Sequence, residues 1–331
     1  MANTLVEYEY LAKDALKAGI AKTIVVESPW LRYLPFIEIV GNNLLYNMET
    51  VEAAADFYSV GEQWVEGTPT WEQRSTELSI LGGDADVDSF IQQTRKDQNI
   101  EAAVIELKAK AIAAKFELHA VLGRTTASAT YSTSKSFKGL LRIIGECESS
   151  STTDLDGVNN TQVCPANAAS TVLTLDMLDE LIDRVKPKPT HLIMNSALRR
   201  KVKSLARAAG NNLEVALGKL GMPVERYGEQ EILICDHIPN NIQDGASSVL
   251  PIASYDPTIT RAAGYDNSVI FAVRFGEDGL CGCQNGGIQT ELIGKLENKD
   301  AFRTRIKFYC GMALFNKLAS AVMINVQYAA A

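Results

Sequence analysis

Three histidines, His119, His191 and His237, are all this chain offers for acid–base work near neutral pH. An imidazole can shuttle protons or hold a metal, but it needs a nucleophile, an orienting carboxylate or further ligands beside it. The sequence contains no GxSxG elbow, no GxxxxGK[ST] phosphate loop, no HExxH and no GxGxxG after a strand. Each histidine therefore reads first as a structural one. The densest set is Cys235, Asp236 and His237 with Cys281 and Cys283, since thiolates and an imidazole can surround zinc tetrahedrally. A cytosolic metal or thiol enzyme built on Cys235, Asp236 and His237 is the catalytic alternative. The spacing matches no zinc ribbon, however, and six cysteines scattered without a CxxC pair read as reduced, buried thiols. Asp84, Asp86 and Asp88 alternate like the first half of a calcium loop. Ser89 stands where the turn glycine belongs and Arg95 where the closing glutamate does, so a salt-bridged or solvated acidic turn is the simpler reading. No catalytic residue, metal site or cofactor is expected.

The elements that would position such groups belong to an ordinary folded protein. With 331 residues, 46% of them hydrophobic, 22% charged and 7% aromatic, the chain has the proportions of one large or two modest domains. Disorder, collagen and disulfide miniproteins are excluded. No apolar run is long enough to span a bilayer, and the N-terminus lacks a basic region followed by an apolar one, so the reading places the chain in a cytoplasm without membrane contact. A net charge of −8 argues against general attraction to polyanions.

That charge is unevenly spread. From Thr23 to Arg95 there is no lysine. Between Glu49 and Gly83 stand Glu49, Glu52, Asp56, Glu62, Glu66, Glu72 and Glu77 against Arg74 alone, an excess of six negative charges. The stretch reads as two extended runs, Leu44 to Val60 and Thr70 to Leu81, joined by a Gly- and Pro-bearing segment: a long hairpin. Phe57, Tyr58, Trp64 and Trp71 on it would ordinarily mark a core face. An arm so charged has too few apolar groups to bury itself well, so docking on another chain is the competing reading.

After Gly82-Gly83 the chain is expected to turn helical, with a long helix over 97–122 burying Ile100, Val104, Leu107, Ala111, Ala114 and Leu118, and Gly123 stopping it. Ser- and Thr-rich stretches at 124–138 and 148–171 flank a short apolar run and bracket a second domain. There Thr174 caps a helix, His191 to Asn195 forms a buried strand, and Ser196 caps another helix ending near Gly210. That last helix carries Arg199, Arg200, Lys203 and Arg207 within an arc of about 100°. The stripe reads as a solvated face, a local DNA contact, or a complement to another subunit's acidic surface. Runs around Glu231–Cys235, Ser268–Phe275 and Arg303–Cys310 read as strands, and the apolar tail from Ala313 to Val326 should pack beside an earlier element.

Several unusual stretches, in order, carry a resemblance: Ser28-Pro-Trp-Leu-Arg-Tyr-Leu-Pro-Phe36, Glu66-Gly-Thr-Pro-Thr-Trp-Glu-Gln73, Leu78-Ser-Ile-Leu-Gly-Gly-Asp-Ala-Asp-Val-Asp88 and Gln93-Thr-Arg95. The chain resembles the major capsid proteins of tailed double-stranded DNA phages, of the Hong Kong 97-type fold. The resemblance implies an α+β chain with an N-terminal arm at 1–38, an extended loop at 49–83, a peripheral domain from 39–48, 84–138 and 299–331 with a spine helix, and an axial domain at 139–298. It implies a non-enzymatic subunit that assembles with itself into pentamers and hexamers of an icosahedral shell in the host cytoplasm. The shell encloses double-stranded DNA without specific binding, alongside a portal protein, a separate scaffolding protein and room for a decoration protein. Some relatives weld the shell through a lysine in the extended loop; this loop has none, so non-covalent contacts are expected. Trp64, Glu66, Trp71, Glu72 and Arg74 are the candidate interface residues. The stripe of Arg199, Arg200, Lys203 and Arg207, or the spine lysines, are the candidate acceptors. Because the chain opens at Met1 in what resembles the arm, no fused scaffolding segment is expected. Lys13, Lys17 and Lys22 of that arm could meet phosphate locally. The alternative within the fold is an encapsulin, a shell around a cargo enzyme, for which an amphipathic start with Leu5, Tyr8, Leu11, Leu16 and Ile20 would speak.

Overall fold

The computed structural model describes residues 32–51, 53–94, 100–123, 135–147, 155, 160–165, 171–210, 213–217, 223–238 and 267–328. The amphipathic start, the arm lysines and most of the two Ser/Thr-rich stretches lie outside these residues. The first half holds β1 (Phe36–Glu38), β2 (Asn43–Val51), β3 (Thr70–Glu77), β4 (Ser79–Asp88), α1 (Ser89–Thr94), α2 (Ile100–Leu122) and α3 (Leu140–Gly145). Next come β5 (Val163–Pro165), β6 (Thr171–Val172), α4 (Leu175–Asp183), β7 (His191–Met194) and α5 (Ser196–Ala208). Strands close the chain: β8 (Glu214–Leu217), β9 (Pro223–Tyr227), β10 (Gln230–Ile234), β11 (Asn267–Val273), β12 (Leu280–Lys295), β13 (Ala301–Leu314) and β14 (Ser320–Gln327). No helix among the described residues is long and apolar enough to cross a membrane.

Among the described residues the strands form two sheets and a separate hairpin. One sheet runs β1-β12-β13-β4; the other runs β5-β14-β11-β7-β10-β9-β8 with β6 beside β14; β2 and β3 pair only with each other. The chain is thus α+β, as expected. The apolar tail returns as β14, antiparallel to β11 and parallel to β5.

The larger sheet is buried on both faces at its centre, which explains why its strands read as unbroken apolar runs. Along β7 and β11, Ile193, Val269, Phe271 and Val273 point into one core, while Leu192, Met194, Ile270 and Ala272 point into the other. The second core is closed by Leu178 and Leu181 of α4 and by Leu198 and Val202 of α5. The oxygen of Thr174 accepts from the Met177 amide and caps α4, as its sequence indicates. For α5 the cap is Asn195 rather than Ser196: its Oδ1 accepts from Leu198 N at 2.8 Å. Both residue types cap well, and the end of β7 leaves Asn195 in extended geometry one residue earlier.

In the first core, α2 departs from its expected face. Leu107 and Ala111 of the expected stripe are exposed; Ile112, Phe116 and Ala120 are buried instead. The helix is apolar on most sides, so spacing alone cannot choose a face. Packing chooses it, with β4 and β13 on one side and α3 on another. At its end, Gly123 and Gly139 bring two backbones into contact, Gly139 N donating to Gly123 O at 2.8 Å. A Cβ on Gly139 would collide with the Gly123 backbone nitrogen. Gly139→Ala is therefore expected to lower stability by about 1–3 kcal/mol, measurable as a shifted urea midpoint.

The segment after the hairpin is extended where a turn and helix were expected. Residues 79–88 are β4, the edge strand paired with β13. Asp84 and Asp86 stand directly opposite Arg305 and Arg303. Each pair is bidentate, Arg303 to Asp86 at 2.6 and 2.8 Å and Arg305 to Asp84 at 2.6 and 2.9 Å. The alternating aspartates thus serve a cross-strand ladder. Hydrogen bonds from Arg305 and Arg303 hold both carboxyls below their ordinary value of 3.8. A lowered folded value means that the contribution is complete above 3.8 and is lost as pH falls through the folded values. Acid titration followed by circular dichroism should show an unfolding limb below that value, shifted to higher pH in Arg303→Gln/Arg305→Gln.

Candidate inter-subunit interface

The hairpin is anchored at its root and free at its tip. In β2 and β3 the side chains alternate: Leu44, Tyr46, Met48, Glu72, Arg74 and Thr76 turn toward the body, while Leu45, Glu49, Trp71 and Gln73 turn outward. The inward set makes the anchor. Met48 is buried, Tyr46 meets Phe315 edge-on with ring centroids 5.1 Å apart, and Thr76 Oγ1 donates to Met312 O at 3.2 Å. Leu78 N donates to Asn42 O and closes the base.

Arg74 does most of the fixing. Its Nη1 donates to Glu146 O at 2.7 Å, and its Nη2 to Cys147 O at 3.3 Å and to Glu72 Oε2 at 2.7 Å. The guanidinium thus sits over the C-terminal carbonyls of α3, where a cation is favoured. Glu146 is in turn held by Lys138 and Arg142, both at 2.7 Å. Of the five candidate interface residues, Glu72 and Arg74 are therefore brought together as an internal brace. Trp64, Glu66 and Trp71 stand exposed, the two indoles at 79% and 67%. The carbonyls of Glu146 and Cys147 are functional partners that the sequence does not advertise, since backbone oxygens 72 and 73 residues away leave no residue-type signal.

The tip adds Phe57, Val60 and Val65, each largely or wholly exposed. This is a cluster of apolar side chains on an arm that buries none of them, which marks an interaction site rather than a scatter of surface residues.

The basic stripe lies elsewhere, on α5. Arg199 Nη1 meets both Glu225 oxygens at 3.2 Å and Lys203 Nζ meets Oε1 at 2.8 Å. Burial alone would raise the Glu225 carboxyl, but Lys203 and Arg199 bring it below the ordinary range. Arg200 and Arg207 remain exposed on the same helix. Half of the stripe is thus matched by β9 of its own chain.

The remaining chemistry is structural in its surroundings. His191 is buried between Tyr33 and Phe275, its Nδ1 2.7 Å from Thr190 Oγ1 and its Nε2 3.5 Å from Glu231. Desolvation lowers His119 and His237, holding both neutral near pH 7. Among the described residues no three His, Cys, Asp or Glu side chains converge as metal ligands. All six cysteines are buried and none is in a disulfide. Desolvation pushes Cys164, Cys283 and Cys310 up to about 12 and Cys281 to about 11. Cys281 and Cys283 share one face of β12, packed in the protein interior. A thiolate-specific reagent at pH 8 is expected to leave these four unmodified in folded protein and to reach all six in denaturant.

No family model matches the chain, and no curated protein matches it in sequence. Its backbone does match solved structures. The capsid of cyanophage A-1(L) superposes with a TM-score of 0.64 at 10% identity, covering 93% of this chain and 95% of that one. The holo-SrpI encapsulin of Synechococcus elongatus gives 0.62 at 15% identity over 100% and 98%. The capsid of the native GTA particle gives 0.59 at 13% identity over 92% and 90%. These are shells, and their shared backbone spans nearly the whole of each chain. The overall fold of this chain is the Hong Kong 97-type capsid fold.

Proposed function

We propose that this chain is a structural, non-enzymatic shell protein, the major capsid subunit of a tailed phage. It assembles into pentamers and hexamers of an icosahedral shell around double-stranded DNA, in the host cytoplasm. The observation that carries the reading is the hairpin: a braced arm, acidic and tipped with exposed aromatics, offers the kind of surface that another subunit covers. The absence of lysine from Thr23 to Arg95 supports contacts that are non-covalent. Heat-denatured particles should accordingly run as a single band on a denaturing gel, and a ladder of linked subunits would contradict this. The net charge of −8 supports an inner wall that encloses DNA without gripping it. In this reading the hairpin is the extended loop and the β4–β13 sheet with α2 the core of the peripheral domain. The α4–α5 region with its sheet is then the axial domain, and portal and scaffolding proteins are separate partners.

An encapsulin is the second reading, favoured by a match to the Synechococcus shell over the whole chain. Particle contents separate the two. Nuclease-treated particles that release long double-stranded DNA fit a capsid, whereas particles holding a protein cargo and no DNA fit an encapsulin.

A further inference from the structure

The root of the hairpin encloses a cavity that its anchor does not fill. About 220 Å³ in volume, it lies between β2 and β3, α3 with the residues flanking it, and the end of β13. Its apolar wall is Met48, Phe137, Ile143, Met312 and Leu314. A dry apolar cavity of about 150 Å³ admits benzene, so this one has room for a ring with a short substituent. Lys138, its side chain 38% exposed, stands at the rim.

Most of the polar wall is already engaged. Tyr46 hydrogen-bonds with Thr76 and the Leu314 backbone, Thr76 Oγ1 donates to Met312 O, and the Cys147 thiol donates to Lys317 O at 3.9 Å. Arg74 is different. Its side chain is 10% exposed, and Nη1 and Nη2 reach Glu146, Cys147 and Glu72. Nε is shut from solvent and meets no acceptor among the described residues. A buried donor in that state costs free energy that an acceptor in the cavity recovers.

Charge decides what kind of acceptor fits. The charged residues of the wall are Arg74 and Lys138 against Glu77 and Glu146, two of each sign. Lys138 is held by Glu146 and Arg74 by Glu72, both at 2.7 Å. No net charge is left to compensate an ion, and an ion entering from water would give up its hydration. An uncharged guest is favoured.

We infer that this cavity is a binding site for a small uncharged molecule that joins a ring-sized apolar body to one carbonyl, the oxygen accepting from Arg74 Nε and the body packing on Phe137, Ile143 and Met312. A guest there touches the hairpin root, α3 and β13 at once, so it staples the root to the body. Binding needs no second subunit and is independent of shell assembly.

Acetophenone is the probe, with α-methylstyrene as the isostere lacking an acceptor and benzoate as the charged counterpart. Saturation-transfer NMR titration of the full-length protein should show saturable binding of acetophenone, about tenfold tighter than of either control. Ile143→Phe fills the cavity from a half-buried position and should abolish that binding with circular dichroism unchanged. Acetophenone at about ten times its Kd should also slow hydrogen exchange about tenfold at the β2 and β3 amides of wild-type protein, leaving β11 and β14 as they were. No saturable binding, either control binding as tightly as acetophenone, binding retained by folded Ile143→Phe, or hairpin exchange left unslowed would each overturn the site. Should Ile143→Phe fail to fold, the wild-type exchange map decides alone.

Discussion

Phe116→Ala is expected to lower the unfolding free energy of the subunit by about 3–5 kcal/mol, the cost of deleting a fully buried aromatic ring. Phe116 has no exposed surface and sits where the spine helix, β1, β13 and the segment before α3 converge. Its ring lies 6.0 Å from Phe36, 5.8 Å from Phe308 and 5.3 Å from Phe137. These three partners come from three separate parts of the chain, so neighbouring side chains cannot collapse into the gap without moving whole elements. Phe116→Leu keeps most of the volume and should cost clearly less. Urea denaturation of dissociated subunits reads both, and equal midpoints for wild type and Phe116→Ala would mean that this cluster does not join the spine to the sheet.

The second large effect belongs to Arg74. Arg74→Ala leaves two helix-end carbonyls and the Glu72 carboxylate without their donor, a loss of about 2–4 kcal/mol for charge-assisted bonds in a largely buried place. The consequence should be local: the hairpin root loosens while the two sheets stay folded. Hydrogen exchange is expected to accelerate at the β2 and β3 amides and to stay unchanged in β11 and β14. Under the proposed shell assembly, particle yield should fall with it, because a swinging arm docks at a greater entropic cost. Arg74→Lys should recover only part of the effect, since an ammonium cannot reproduce the planar fork that reaches three oxygens. Unchanged exchange in the hairpin would show that Tyr46, Met48 and Thr76 suffice as the anchor.

The sequence exposes those parts of this fold that rest on local pattern. Thr174, the run His191–Met194 and the apolar tail each behave as their residue types indicate, because a cap or a doubly buried strand is decided within a few residues. The hairpin is legible from its extended runs and turn residues, and its exposure from a charge excess that a core could not tolerate. Partnering across long separations is not legible. The aspartates of β4 resemble a calcium loop until Arg303 and Arg305, more than 200 residues later, are placed opposite them. Strand β12 escapes a propensity reading because Gly282, Gly286, Gly287 and Gly294 interrupt it; Gly282 leaves room for the Phe36 ring, and the next two adopt positive φ at a bulge against β13. At the candidate interface, the aromatic and acidic residues stand out in the sequence, but not which of them are already engaged. Glu72 looks the same as Glu66 on paper; only the alternation along β3 and the position of α3, which engage Arg74 and Glu72, separate an internal brace from an exposed contact.

Electron microscopy of the purified protein, with size-exclusion chromatography beside it, decides whether the chain closes into a shell. Closed icosahedral shells are expected, or free pentamers and hexamers that close when a scaffolding protein is supplied. A monomer or small dimer that persists at high concentration with scaffold present would contradict this expectation.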